Sequence, residues 1–187
     1  MLHLLQNILL VLLVNAFPQS REALLFDFAQ IQSIGRWYVV TDGVAGGGSR
    51  GMFGEGRGKY ASFSGVLAGD RPGAFASVWS RDAGLDLSRM TGLALRVRGD
   101  GKTYRVALKT NRGVDAVQYV ARITPPRSGW SVVRVSFREL VPMSQGGMLK
   151  SAPRFDPARV VAIGVVISDH QDGAFELLIE KVSAYVE

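Results

Sequence analysis

Apolar and polar side chains alternate through most of this chain, and glycine breaks the alternation every few residues. Leu93-Ala94-Leu95-Arg96-Val97-Arg98 alternates, Gly99-Asp100-Gly101 marks a turn, and Tyr104-Arg105-Val106-Ala107-Leu108-Lys109 alternates again. A period of two sends successive side chains to opposite faces of a strand. Leu93, Leu95, Val97, Tyr104, Val106 and Leu108 are therefore expected to face a core. The two runs read as an antiparallel hairpin with one buried face.

Further runs of the same kind follow the same logic. Tyr60–Val66 and Ala74–Trp79 read as strands, and Tyr119–Ile123 is a strand stopped by Pro125-Pro126. Trp130–Phe137 places Val133, Val135 and Phe137 on one face, and Phe175–Val182 points Phe175, Leu177 and Ile179 inward and Glu176 and Glu180 outward. Val160–Ile167 is apolar throughout, as expected of a central strand buried on both sides. Helical signals are confined to short turns over Leu85–Met90 and Phe137–Val141. Many short strands, 22 glycines and little helix argue for one all-β domain over residues 23–187, a β-sandwich or jelly roll.

Residues 1–22 form an apolar leader. Leu4–Val14 is apolar apart from Gln6 and Asn7, and is shorter than the ~20 residues a membrane-spanning helix needs. Its length suits the core of a secretion signal, and Val14-Asn15-Ala16 offers a cleavage site, but Met1-Leu2-His3 lacks the usual basic residue. Export, membrane attachment and a cytoplasmic location all stay open.

The absence of cysteine excludes disulfides, thiolate nucleophiles and cysteine–zinc sites. A net charge of +6 favours acidic partners. Gly46-Gly47-Gly48-Ser49-Arg50-Gly51 satisfies the G-x-G-x-x-G spacing, but Met52-Phe53-Gly54-Glu55-Gly56-Arg57-Gly58 cannot open the helix that a dinucleotide site requires. Asp169-His170-Gln171-Asp172 gathers two carboxylates and a histidine, the makings of a general base, of metal ligands or of a polar turn between strands. None of the serines sits in a G-x-S-x-G elbow.

Two surfaces remain as candidates for contact. If Leu93, Leu95 and Val97 face inward, Arg96 and Arg98 face outward, and Arg105 and Lys109 on the next strand share that outer face. Arg122 and Arg134 join them by the same alternation, giving a cationic patch for an acidic partner. Trp37, Trp79 and Trp130 offer instead a platform on which sugar rings could stack.

The run Trp37-Tyr38-Val39-Val40-Thr41-Asp42-Gly43-Val44-Ala45-Gly46-Gly47-Gly48-Ser49 resembles the signature of the complex I intermediate-associated protein 30 family. That signature is a tryptophan, an Asn-Asp pair, Val-Met-Gly-Gly and a serine. Trp37, Asp42, Val44, Gly46, Gly47 and Ser49 match it, while Thr41 stands for the asparagine and Ala45 for the methionine. Phe63-Ser64-Gly65, Gly73–Val78, Gly92–Gly101 with Tyr104, Trp130, Phe137, Ile163-Gly164 and Gly173–Leu177 continue the resemblance in order, over roughly residues 24 to 187.

The resemblance implies a galactose-binding-like jelly roll and a chaperone-like role in assembling respiratory NADH dehydrogenase, with no catalytic residues to carry over. The expected partner is a protein, with membrane-surface association; a carbohydrate is the alternative ligand, and neither nucleic acid nor a cofactor is expected. Trp37, Asp42, Gly46, Gly47 and Ser49 in the loop, with Arg96, Arg98 and Arg105, are the candidate partner-binding residues. Independently of the family, successive glycines let the loop adopt left-handed angles, and Asp42 and Ser49 can fix its shape by bonding turn amides.

Overall fold

The alternating runs do become strands. The computed structural model describes residues 21–69, 73–81, 83–113, 116–144, 147–168 and 171–187. Among these the strands are β1 (Glu22–Asp27), β2 (Trp37–Thr41), β3 (Arg50–Glu55), β4 (Ala61–Leu67), β5 (Ala76–Ser80), β6 (Gly92–Arg98), β7 (Tyr104–Lys109), β8 (Gln118–Ile123), β9 (Ser131–Ser136), β10 (Val141–Ser144), β11 (Gly147–Met148), β12 (Ala162–Ile167) and β13 (Gly173–Tyr185). A one-turn helix, α1 (Ile31–Ile34), precedes β2. The leader, residues 1–20 of it, lies outside the described residues.

The strands form two antiparallel sheets. The first runs β3-β4-β13-β6-β9, with β1 beside the second half of β13; the second runs β11-β10-β8-β7-β12-β5-β2. Phe63, Leu93, Leu95, Leu177 and Ile179 of the first sheet meet Val78, Val106, Leu108, Ile163 and Ile167 of the second in a single apolar core. Each large buried side chain of this kind contributes roughly 1.5–3 kcal/mol by leaving water. All six residues expected to face inward from β6 and β7 are fully buried. Strand β12 sits inside its sheet between β5 and β7, as its unbroken apolar run implies.

Strands β6 and β7 are not a hairpin. Strand β6 pairs with β13 and β9, whereas β7 pairs with β12 and β8. The Gly99–Gly101 turn carries the chain from one sheet across to the other. Alternation specifies which face of a strand is buried, and it is the same core for both strands; it says nothing of which neighbour supplies the hydrogen bonds.

Two local expectations also change. Leu85 is bridged to Val160 rather than opening a helical turn, and only a tight turn, Met90 N–H to Leu87 C=O, closes that segment. Arg50–Glu55, within the glycine-rich stretch, is a strand whose Phe53 packs on the core. By contrast, the short helical turn after Trp130–Phe137 is present as a 3-10 turn over Phe137–Glu139.

Candidate functional site

The signature loop connects β2 of the second sheet to β3 of the first. Asp42 directly follows β2 and is 7% exposed. The Ser49 backbone N–H donates to Asp42 Oδ1 at 2.9 Å, and the Ser49 hydroxyl donates to Asp42 Oδ2 at 2.7 Å. The same hydroxyl accepts from the Ala68 N–H at 3.2 Å, just beyond β4. One aspartate–serine clasp thus ties the end of β2 to the start of β3 and the end of β4.

Between the clasp residues the chain makes a 3-10 turn over Asp42–Ala45, with the Thr41 hydroxyl accepting from the Gly43 N–H. Gly46 follows at φ 79°, in the left-handed region. Gly47 lies against the clasp, where a Cβ would stand 2.2 Å from Asp42 Cγ. Only a residue without a side chain fits there. Asp42, Gly47 and Ser49 therefore shape the loop from within, and the outward part of it is Val44, 80% exposed. Thr41 and Ala45, the two departures from the family signature, flank that outward part.

Trp37 is 6% exposed and belongs to the core. Its ring packs with Phe26, Phe28 and Phe53 at centroid distances of 5.0, 5.5 and 5.7 Å. Its indole N–H has no hydrogen-bond partner. Trp79 lies on the outward side of the second sheet, also nearly buried, and its indole N–H donates to the Ser77 hydroxyl at 3.1 Å. Trp130 lies outside the first sheet, beside Tyr60 at 5.3 Å. The three tryptophans occupy the core and the two opposite faces, so they do not form one platform.

The cations are divided in the same way. Arg96 and Arg98 project from the first sheet, with their guanidinium carbons 6.0 and 5.8 Å from the Trp130 ring centre. Arg96 also pairs with Glu180 at 2.5 Å, and Arg134 on β9 pairs with Glu22 at 2.9 Å. Arg105, Lys109 and Arg122 project from the second sheet, on the far side of the sandwich. The expected single patch fails because its premise, a β6–β7 hairpin, fails.

On the second sheet the register aligns Tyr38, Trp79, Gly164, Ala107, Val120 and Val141 in one row across six strands. Trp79 lies flat over Gly164, where a Cβ would come 2.4 Å from the indole. The Lys109 ammonium sits 4.1 Å from the Trp79 ring centre, and Arg81 lies over the Tyr38 ring at 5.2 Å. Burial holds the Lys109 ammonium below its usual pKa. A depression of about 390 Å³ opens here, lined by Tyr38, Arg81, Lys109, Asn111 and Arg112 among others.

Asp169 and His170 lie outside the described residues. The rest of that turn is tied into the fold. The Gln171 amide donates to the carbonyls of Thr103 and Ser168 and accepts from the Thr103 N–H, and the Lys102 ammonium donates to the carbonyls of Gln171 and Asp172. Beside it, Asp100 accepts from the Tyr104 hydroxyl at 3.1 Å and from the Glu176 N–H at 2.9 Å. Burial, with the Asp100 carboxylate next, keeps the Tyr104 hydroxyl protonated far above the usual tyrosine range. Among the described residues no three His, Asp or Glu side chains gather as metal ligands, and no helix is long and apolar enough to cross a membrane.

The model of the complex I intermediate-associated protein 30 family matches residues 26–179, from the end of β1 into β13. This chain belongs to that family. Among curated proteins no sequence matches it. Solved structures share the fold at low identity. The family 11 carbohydrate-binding module of the cellulosomal cellulase Lic26A-Cel5E of Clostridium thermocellum superposes with a TM-score of 0.65 at 15% identity, covering 90% of this chain and 96% of the module. The Clostridium thermocellum family 11 module in complex with a β-1,3-1,4-mixed-linked tetrasaccharide gives 0.65 at 16% identity, over 88% and 95%. The agarase AgWH50C gives 0.59 at 14% identity, over 90% of this chain and 25% of the agarase. The family member thus has the jelly-roll sandwich that the strand pattern and the family resemblance both implied.

Proposed function

We propose that this chain is a non-enzymatic binding protein that assists the assembly of a membrane complex, with respiratory NADH dehydrogenase as the first candidate. Membership of the complex I intermediate-associated protein 30 family over residues 26–179 carries the reading. The site geometry agrees with it. Asp42 and Ser49 are consumed in a clasp, and Asp100, Lys102 and Gln171 in a knot between turns, so these polar groups serve the fold and not a substrate. What they hold in place is surface: a rigid loop led by Val44 and two broad sheet faces.

The test is loss of the gene in its native host, followed by native electrophoresis of the respiratory complexes. Accumulation of NADH dehydrogenase subcomplexes, reversed by re-expression, is the expected result. A normal complement of intact complex in the deletion strain removes the reading.

A carbohydrate-binding role is the second reading. Its support is the shared fold with a module solved holding a mixed-linked tetrasaccharide. A glycan array with the purified chain separates the two, since sugar binding that survives in the absence of any assembly defect would reverse their order.

A further inference from the structure

Lys59, Lys102, Lys109, Lys150 and Lys181 are the lysines of the chain, and Lys109 is placed unlike the others. It closes β7 on the outward face of the second sheet, opposite Ala162 of β12, while Trp79 of β5 stands across the same strand, opposite Gly164. Ala162 and Gly164 carry too little side chain to keep the two apart. The lysine stem therefore crosses β12 and brings its nitrogen 4.1 Å from the centre of the Trp79 ring. Among the described residues Lys109 Nζ makes no hydrogen bond and no ion pair. The Lys102 ammonium, by contrast, donates to two backbone carbonyls at 2.8 and 2.7 Å. A ring attracts an ammonium but does not replace the hydrogen bonds of water, so half-burial leaves the charged form of Lys109 poorly supported and lowers its pKa. More of this amine than of a fully hydrated one is neutral, and the neutral amine is the nucleophile.

The same nitrogen lines the depression of about 390 Å³, whose walls also include Tyr38, Arg81, Val161 and Ala162. The Arg81 guanidinium lies over the Tyr38 ring at 5.2 Å and makes no ion pair among the described residues. Arg112, the other cation of the depression, has a partner of its own. Asp82 and Asp115, in the adjoining segments, lie outside the described residues. We propose that Lys109 is an acylation site that takes its acyl group from a small acyl phosphate, with Arg81 holding the phosphate. The inference goes beyond both readings of the function and depends on neither.

The chemistry needs only the donor and the two side chains. The Nζ lone pair attacks the carbonyl carbon of the acyl phosphate and forms the new C–N bond. The bond from that carbon to the bridging oxygen breaks, and the oxygen leaves with the electron pair as inorganic phosphate. The proton lost by the amine passes to solvent. A guanidinium offers a phosphate two parallel donors and stays charged throughout, so Arg81 serves both the bound donor and the leaving group. Val161, Ala162 and the Trp79 ring give the acyl group an apolar floor. The product is a neutral amide on Lys109, and the face loses the one charge that rested on Trp79.

The test treats the purified full chain with acetyl phosphate, stops the reaction early, and reads the rate at each lysine by peptide mass spectrometry. Lys59 and Lys150 are exposed, so access alone would put them first. The expected order is the reverse, with Lys109 acetylated at least about fivefold faster than either. Its rate should rise with pH to a midpoint below 10.5. Arg81→Gln should slow Lys109 about fivefold with acetyl phosphate but less than about twofold with acetic anhydride, which carries no phosphate. Thermal melts by circular dichroism verify that this variant, altered at an exposed position, is folded. Lys59 and Lys150 reacting ahead of Lys109, a midpoint at or above 10.5, or an Arg81→Gln effect that is the same with both reagents would each overturn the proposal.

Discussion

The strands of the first sheet carry five carboxylates, Glu22, Asp27, Glu55, Glu176 and Glu180, and five cations, Arg50, Arg96, Arg98, Arg134 and Lys181. Those of the second carry Arg105, Lys109 and Arg122 and no carboxylate. Both sheets close on the same core, so the difference cannot come from burial. In the first sheet, cations meet carboxylates of neighbouring strands, as Arg96 does Glu180 and Arg134 does Glu22. On the second, the Lys109 ammonium rests on the Trp79 ring and Arg81, just past β5, on that of Tyr38, as Arg98 of the first sheet does on Trp130. A ring attracts a cation without cancelling its charge.

The comparison can be broken most directly at Gly164. Gly164→Leu forces the Trp79 indole off the second sheet and should cost about 3 kcal/mol in urea unfolding. Gly54→Ala on the edge of the first sheet, where a Cβ meets nothing within 4 Å, should change stability by less than about 0.5 kcal/mol. Similar effects at the two sites would mean that Trp79 is not laid against the sheet. Next comes the clasp that fastens one sheet to the other. Asp42→Ala strips the Ser49 N–H and hydroxyl of their acceptor and should cost about 2 kcal/mol. Limited proteolysis should then cut within Gly46–Gly48; an uncut loop would show that the clasp does not hold it.

A smaller effect is expected at Lys109. Burial disfavours its charged form, so its folded-state pKa lies below the 10.5 of the unfolded chain. At pH values under the folded pKa the penalty is present in full, and it is relieved as pH rises from there to 10.5. Relative to Lys109→Arg, which does not titrate in this range, the protein should gain stability as pH climbs toward 10.5. A flat difference across that range would mean a fully hydrated ammonium. Smallest of all is Arg96→Gln, which removes a half-exposed pair on the first sheet and should cost under about 1 kcal/mol, less in high salt.

Face assignment was legible in the sequence because it depends on a local period. Leu93, Leu95, Val97, Tyr104, Val106 and Leu108 needed only alternation to be placed in the core. Strand partnership was not legible, because the same period suits any neighbour; Gly99-Asp100-Gly101 is an ordinary turn signal, yet it bridges two sheets. The error spread from there to the site, since Arg96, Arg98 and Arg105 were joined through a hairpin that does not form. Strand β3 escaped notice because Gly51 and Gly54 leave Met52 and Phe53 as its only apolar side chains. The clasp was half visible: Asp42 and Ser49 were recognisable as loop-shaping residues, but their bond to the Ala68 amide brings in a strand end nineteen positions away. The acid-free composition of the second sheet was in the sequence from the start, and becomes a pattern only once its seven strands are known to be neighbours.

Strand β13 forms the spine of the first sheet, hydrogen-bonded to β1 and β4 along one edge and to β6 along the other. All of these partners precede it in the chain. While the polypeptide is being synthesised, the edges of β1, β4 and β6 that face β13 must therefore wait unpaired until Gly173–Tyr185 leaves the ribosome. Long-range pairing of this kind slows folding and exposes sticky intermediates. The chain thus has, while nascent, a prolonged need for protection of its own.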